Sequence, residues 1–123
     1  MTLREISTPL IPVSDGVVVM PLVGLLDEAR TAQFMERLLG GVVAAQARIA
    51  ILDVTGVPEL DASAVQALLS AVSAARLLGA EVVLTGIKPA AARALVELGA
   101  DFGRVVTRGT LKDGIGYALS RER

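Results

Sequence analysis

The amino-acid sequence predicts an α/β domain, in which about four helices pack on a mixed, mostly parallel sheet of about five strands that opens with a hairpin. Apolar, β-branched runs alternate along the chain with segments whose apolar residues repeat at helical spacing. Hydrophobic residues make up 53% of the chain and aromatic residues only 2%, which is typical of parallel strands covered by alanine-rich helices. The 123 residues suffice for one such domain, residues 1–123, of which 1–9 are expected to form a linker or N-terminal extension.

A hairpin is predicted at the start of the sheet. Residues 10–13 and the β-branched run 17–23 flank the turn sequence Ser-Asp-Gly at 14–16. Pro12 and Pro21 lie within these two runs, and proline in a sheet is confined to edge strands, strand starts and bulges. We therefore expect an edge strand or a bulge at each proline.

The first helix is predicted from Asp27 to about residue 45. Phe34 and Leu38 belong to an apolar stripe at helical spacing, and Asp27 is a plausible N-cap. The adjacent Gly40 and Gly41 destabilise a helix by about 1 kcal/mol each relative to alanine. The helix either continues through this pair or ends early at it.

Two continuous apolar runs, 48–54 and 81–87, predict central strands buried on both faces. Between them, residues 61–78 carry an apolar stripe at helical spacing, and Gly79 is placed to end that helix. The three segments form a strand-helix-strand unit, whose crossover is right-handed by default.

A short helix, a short strand and a last helix follow. Lys88 and Pro89 begin the short helix, since proline suits a first helical turn, and Gly99 ends it. Residues 104–107 are predicted to form the strand. The sequence Thr-Leu-Lys-Asp at 110–113 is a capping signal for the last helix.

Composition removes several classes of function. The chain has no cysteine and no histidine, which excludes disulfides and thiol catalysis and removes the commonest metal ligand and general base. Its 12 basic and 13 acidic residues provide no strong positive field for nucleic acid. The sequence also contains no Gly-x-Ser-x-Gly elbow and no phosphate-binding P-loop pattern. We therefore expect no enzymatic activity, no cofactor, no metal and no nucleic-acid partner.

The sequence also shows no targeting or membrane segment. Residues 1–12 lack the continuous apolar stretch of a signal peptide. The longest apolar run, 17–26, is interrupted by Pro21 and Gly24 and is too short to span a bilayer. These features predict a cytoplasmic protein without a membrane partner.

The most informative segment is 52–64, which runs from the end of a strand into a helix. Partner contacts on open α/β sheets concentrate at such strand ends. If Asp61 caps the helix, Ser63 lies in the first turn, where free amides and the positive end of the helix dipole favour a phosphate. Alternatively, Asp61 and Ser63 do no more than satisfy the free amides of a helix start.

This segment carries a family resemblance. Asp-x-Thr-Gly-Val-Pro at 53–58, followed by Leu-Asp-Ala-Ser-Ala-Val at 60–65, resembles the signature of STAS domains, the family of bacterial anti-sigma-factor antagonists. Residues 7–24, 75–89 and 106–114 are similar to the stressosome scaffold subgroup. The resemblance implies a STAS-type fold and a non-enzymatic regulator that binds a serine/threonine switch kinase or an anti-sigma factor. It also implies assembly with other STAS proteins, as a homodimer or larger, and release of a partner on phosphorylation.

The resemblance further implies two phosphoacceptor positions. The first directly follows the aspartate that matches Asp61, but this chain has Ala62 there. Either Ser63 substitutes, another hydroxyl is used, or the usual kinase does not modify the chain. The second position lies in a Thr-Gly-Ile segment, which Thr85 matches, and we expect this hydroxyl to be exposed at the strand end beside Gly86. The alternative is a threonine present for its β-propensity.

A partner surface is expected around the start of the second helix and the neighbouring strand ends. Its candidate contact residues are Asp61, Ala62, Ser63, Val65, Gln66, Thr55 and Lys88. Lys88 is otherwise a solvated residue at a helix start, the commoner situation for lysine. Ala67, Ala71 and Ala74 favour close self-association if they are exposed, or tight packing of the helix on the sheet if they are not.

Two further functions fit parts of the sequence. Asp53 at a strand end, with Thr85 and Lys88 later, is reminiscent of a receiver-like phosphoacceptor. However, the first parallel strand ends in Gly-Leu-Leu at 24–26, without the extra carboxylates that a divalent cation requires. The other possibility is a passive STAS adaptor, or a fragment of a larger sensor or transporter that is not phosphorylated. Residues 3–9 resemble the linker that enters the STAS domain of stressosome sensors.

Overall fold

The computed structural model describes residues 9–103 and 105–121. Its sheet has five strands in the order β1-β2-β3-β4-β5, with β1 antiparallel to β2 and the remaining neighbours parallel. The predicted fold class is confirmed, whereas the proposed linker falls almost entirely on residues 1–8, outside the described part. The elements are β1 Ile11–Ser14, β2 Val17–Val23, α1 Glu28–Ala45, β3 Ile49–Gly56, α2 Ala62–Leu77, β4 Glu81–Thr85, α3 Pro89–Glu97, β5 Val106–Arg108 and α4 Leu111–Arg121.

Both prolines of the hairpin lie at irregularities of the sheet. The pairing of β1 with β2 shifts register between Pro12 and Ser14. The pairing of β2 with β3 shifts between Pro21 and Val23. Because proline has no amide hydrogen to donate to a neighbouring strand, these bulges accommodate it, as predicted.

The sheet is covered on both faces. α1, α2 and α3 pack on one face, whose core includes Met20, Leu52 and Leu84 from the strands. On the opposite face Ile51 and Val83 belong to a smaller cluster, which α4 covers. Side chains alternate between the faces along a strand, so every second residue of β3 and β4 faces α4.

The first helix is capped as predicted and continues through its glycine pair. The Asp27 carboxylate accepts a hydrogen bond from the Arg30 amide at 2.8 Å. α1 continues to residue 45, so the early end at Gly40 and Gly41 is wrong. A Cβ at Gly41 would overlap the Leu10 side chain, which explains why a glycine is accommodated within this helix.

The alanines of α2 pack inside the domain. Ala71 is 0% and Ala67 6% exposed, and Ala74 is half-buried. Self-association through exposed alanines is therefore wrong for this face. The alternative interpretation, tight packing of the helix on the sheet, is confirmed, because a small side chain lets the helix approach the strands closely.

Several strand boundaries differ from the predicted ones, and those of β4 and β5 affect the carboxyl edge of the sheet. β4 ends at Thr85, two residues earlier than expected, because Gly86 takes a positive φ of 82° that extended strands do not use. β5 comprises Val106–Arg108 in place of 104–107, and residue 104 is outside the described ranges. The early end of β4 directs the chain into the start of α3 at the edge of the sheet.

Candidate functional site

The candidate residues meet at the carboxyl edge of the sheet. β2, β3 and β4 run parallel, so Val23, Gly56 and Thr85 end neighbouring strands at this edge. α2 and α3 both begin here, and a cleft of about 330 Å³ opens between their first turns and the end of β3. Its lining residues include Val57, Leu60, Asp61, Gly86, Lys88 and Ala91.

Asp61 forms the start of α2. Its carboxylate Oδ1 accepts a hydrogen bond from the Ala64 amide at 2.8 Å, which is the bond of an N-cap. Ala62 and Ser63 are the next two residues, and both are exposed. The Ser63 hydroxyl therefore lies in a first turn whose remaining amides have no partner within the helix. The predicted placement of Ser63 is confirmed, and its phosphorylation stays a prediction.

A polar cluster, here named the Asp53 cluster, consists of the buried Asp53 and Thr85 and the exposed Thr55. The Thr85 hydroxyl donates to Asp53 Oδ1 at 2.6 Å, and the Thr55 hydroxyl donates to the same oxygen at 3.1 Å. The Thr55 amide donates to Asp53 Oδ2 at 3.3 Å. Because Asp53 is only 7% exposed, these donors provide the hydrogen bonds that a buried carboxylate requires.

The expected exposure of Thr85 is wrong. Thr85 is 0% exposed, because it is the last residue of β4 and is still paired on both sides, with Asp53 of β3 and Arg108 of β5. Two residues after Val83, its side chain projects onto the face that α4 covers. A Cβ at Gly114 of α4 would overlap the Thr85 methyl group, so helix and threonine are in close contact. Phosphorylation of Thr85 stays a prediction, and it requires that this side chain become accessible.

Gly86 lies directly against the Asp53 cluster at the edge of the sheet. Its φ is +82°, and a Cβ on it would overlap the Thr55 hydroxyl and lie 2.9 Å from Asp53 Oδ1. A residue without a side chain is therefore needed where the chain leaves β4. Sequence reasoning singled out Gly86 for the exposure of Thr85, whereas the structure shows that it helps to enclose the cluster.

The remaining predicted partner residues divide into surface and core. Gln66, Thr55 and Lys88 are exposed, as are Asp61, Ala62 and Ser63. Val65 is 5% exposed and belongs to the core, so its prediction as a contact residue is wrong. Ser63 in the first turn of α2 and Gln66 in the second turn both line a second cleft, of about 500 Å³, between α1 and α2.

Sequence reasoning missed the pairing of Asp53 with Thr85. A signal was available, since Asp53 directly follows the apolar residues 49–52 and Thr85 directly follows 82–84, and parallel strands bring such positions together. The pairing also argues against Asp53 as a receiver-like phosphoacceptor, because its Oδ1 already accepts two hydroxyl hydrogen bonds. Among residues 9–103 and 105–121, no group of three or more His, Cys, Asp or Glu side chains is arranged to hold a metal ion.

Comparison with known proteins decides the family. A family model described as "STAS domain" matches residues 8–113. The chain belongs to the STAS domain family. The STAS domain is 44% identical over 119 residues to the RsbT co-antagonist protein RsbRA of Bacillus subtilis (strain 168). This match covers 97% of the chain but 43% of the relative, so the chain spans less than half the length of that protein.

Solved structures agree with this assignment. The STAS domain superposes on an RsbS variant of Moorella thermoacetica with a TM-score of 0.78 at 28% identity, covering 94% of this chain and 99% of the other. A chain from a structure described as the molecular architecture of the stressosome, "a signal integration and transduction hub", gives a TM-score of 0.75 at 29% identity, with the same coverage of 94% and 99%. These likenesses confirm the predicted stressosome-type subgroup.

The relatives' names describe regulation and assembly. RsbRA is named as a co-antagonist of RsbT, and the second structure is named as a signalling hub. The STAS domain is thus similar to stress-signalling scaffold proteins. In the part of the chain that the structure describes, no helix is both long and apolar enough to cross a membrane.

Proposed function

We propose that this STAS domain is a non-enzymatic scaffold of bacterial stress signalling, which assembles with other STAS proteins and binds a serine/threonine switch kinase of the RsbT type. An anti-sigma factor is the alternative partner. The proposal rests on one observation: in a chain 44% identical to an RsbT co-antagonist, the exposed start of α2 lies beside an open cleft at the carboxyl edge of the sheet. We propose the cytoplasm as its location.

The partner surface is proposed to be the first turn of α2 with the rim of this cleft. Ala62, Ser63 and Gln66 carry no charge and are exposed. Lys88 contributes a positive charge at the start of α3, where its side chain makes no capping hydrogen bond. A partner with a small apolar patch and an acidic group complements this arrangement.

Phosphorylation of Ser63 is proposed to switch this surface off. A phosphate adds about −1.5 to −2 charges at neutral pH. The helix dipole and the free amides of the first turn attract it, while the neighbouring Asp61 carboxylate repels it. A phosphate among the uncharged residues Ala62, Ser63 and Gln66 weakens the contact through desolvation and through repulsion of the partner's acidic group. We therefore expect the unmodified domain to bind and the phosphorylated domain to release.

A passive scaffold is the second candidate function, and two observations favour it. Ala62 leaves the first family acceptor position without a hydroxyl. Thr85, which matches the second position, is fully buried. A STAS domain with neither acceptor available would bind partners without being switched.

Intact-mass spectrometry after incubation with ATP and the RsbT-type kinase of the same organism separates the two candidates. One added phosphate that is lost in Ser63→Ala or in Thr85→Ala supports the switch and locates it. Ser70→Ala, an exposed serine on the same helix, is the matched control and is expected to keep the phosphate. No phosphate on this chain, under conditions that modify a sister STAS protein, refutes the switch and supports the passive scaffold.

Restoring the missing hydroxyl provides a complementary test. Ala62→Thr places an acceptor directly after Asp61, at an exposed position in the first turn of α2. We expect this variant to gain one phosphate from the kinase. If the Ala62→Thr variant binds the kinase but gains no phosphate, the start of α2 is not the surface that the kinase recognises.

A further inference from the structure

We propose that α4 is a gate over Thr85, and that its first turns must lift from the sheet before the Thr85 hydroxyl can react. The inference concerns the regulation of the predicted phosphorylation of Thr85, and in that respect it rests on the proposed function, which supplies the kinase. The gate itself is a property of the fold and can be tested without a kinase.

Thr85 is enclosed on every side that the structure describes. Its hydroxyl hydrogen is engaged by Asp53 Oδ1 at 2.6 Å, and its methyl group contacts Gly114. To accept a phosphoryl group, the hydroxyl oxygen must form a bond to the γ-phosphorus of ATP. The bond from that phosphorus to ADP then breaks with its electron pair on ADP, and the hydroxyl proton passes to a base of the kinase. No nucleotide reaches an oxygen that is 0% exposed, so an opening must come first.

Among the elements around Thr85, α4 is the one whose opening costs the least free energy. Thr85 itself is held by backbone pairing to β3 and β5, so β4 is not free to move. α1, α2 and α3 share the larger core on the other face. In α4, by contrast, Ala118 is the apolar residue buried in the smaller cluster, and Leu111, Ile115 and Tyr117 are only half-buried. Gly114 and Gly116 weaken the helix further, since glycine is a poor helix former.

Contacts of the second half of α4 provide a hinge. The Tyr117 hydroxyl donates to Glu81 at 3.4 Å, at the start of β4. The Arg108 guanidinium lies 4.8 Å from the centre of the Tyr117 ring. These contacts hold the later turns of α4 against the sheet while the turn that carries Gly114 moves away from Thr85.

The gate also explains what a phosphate on Thr85 would do. Beneath the closed helix there is no room for it, since even a Cβ at Gly114 would overlap Thr85. The Asp53 carboxylate, which now accepts the Thr85 hydroxyl, would repel the phosphate. A phosphorylated Thr85 therefore holds α4 open and exposes the apolar face around Ile51 and Val83.

Thiol labelling measures the gate directly, because the chain has no cysteine of its own. In a Thr85→Cys variant the sulfur lies beneath α4, whereas in a Thr55→Cys control it lies at an exposed position two residues from Asp53. Under native conditions we expect the buried thiol to react with a disulfide reagent such as DTNB roughly 100-fold more slowly than the control, as a locally opening site does. Equal rates in the two variants would overturn the gate.

A second substitution shows whether α4 is the element that moves. Leu111→Ser removes an apolar contact from the first turn of α4, and Leu119→Ser changes an exposed position of the same helix. In the Thr85→Cys background we expect the first to raise the labelling rate at least about fivefold and the second to leave it unchanged. Circular dichroism checks that each variant is folded. Equal effects of the two would refute opening through α4.

The kinase reaction then separates the gate from the proposed function. With native Thr85, we expect Leu111→Ser to raise phosphate on Thr85 relative to Ser63, and Leu119→Ser to leave the ratio unchanged. Thiol labelling as predicted, with no phosphate on Thr85 in any variant, would retain the gate and refute Thr85 as an acceptor. Thr85 modified equally in both variants would refute the gate and leave the proposed function intact.

Discussion

The contact between Gly114 and Thr85 predicts that the effects of substitutions at these two positions depend on each other. Replacing Gly114 by alanine adds a Cβ that overlaps the Thr85 methyl group, and its next neighbour is the Ile51 side chain at 3.7 Å, an ordinary contact distance. Overpacking of a core typically costs about 1–3 kcal/mol. Alanine in place of glycine within a helix contributes about 1 kcal/mol in the opposite direction. The net loss in the native background is therefore about 0–2 kcal/mol.

The effect of Gly114→Ala on the free energy of unfolding changes sign when the Thr85 methyl group is removed. Thr85→Ser alone removes one buried methyl and lowers the free energy of unfolding by about 1 kcal/mol. In that background Gly114→Ala no longer meets the methyl group, so the helix-propensity gain of about 1 kcal/mol remains. The coupling between the two substitutions is then about 1–3 kcal/mol.

Urea unfolding of the native chain, both single variants and the double variant measures this coupling. Gly116→Ala is the matched control, because a Cβ there meets no atom within 4 Å. It is expected to stabilise by about 1 kcal/mol in both backgrounds. If the effects of Gly114→Ala and Thr85→Ser add to within about 0.5 kcal/mol, the close contact between α4 and β4 is refuted.

Three further substitutions, one of them with a matched control, test other contacts by the same unfolding measurement. Asp61→Ala removes the N-cap bond of α2 and is expected to lower the free energy of unfolding by about 0.5–2 kcal/mol; no loss would show that the cap bond is not formed in solution. Asp53→Ala leaves a buried threonine hydroxyl without its acceptor and is expected to cost at least about 1–3 kcal/mol, so a neutral effect would contradict the cluster. Gly41→Ala is expected to destabilise by about 1–3 kcal/mol because of the Leu10 side chain, whereas Gly40→Ala, with open space around its Cβ, should stabilise by about 1 kcal/mol; similar effects at the two positions would refute this packing.

Most of the fold could be predicted from local patterns in the sequence. The apolar runs that became β3 and β4 are continuous because helices cover both faces of the sheet. Asp27 and Asp61 were recognisable as caps because the physics of a helix start involves neighbours only three residues apart. Each of these signals is contained within a short stretch of chain.

The candidate site was less predictable, because its properties depend on contacts between distant segments. The burial of Thr85 follows from the residue opposite it in β3 and from Gly114, which is 29 residues further along the chain. The exposed or buried state of Ala67 depends on where α2 meets the sheet. Val65 lies on the apolar stripe of the second helix, which indicates burial, so its prediction as a contact residue went against that stripe.

The two edge strands have a consequence for a domain that is proposed to work among copies of its own kind. β1 has four residues, one of them a proline, and an irregular register, while β5 has three residues. Long, regular edge strands invite neighbouring molecules to extend the sheet through their backbones, and short or bulged ones discourage it. We therefore expect copies of this domain to meet through the side chains of helices and loops, so that even dense packing leaves each sheet a separate unit.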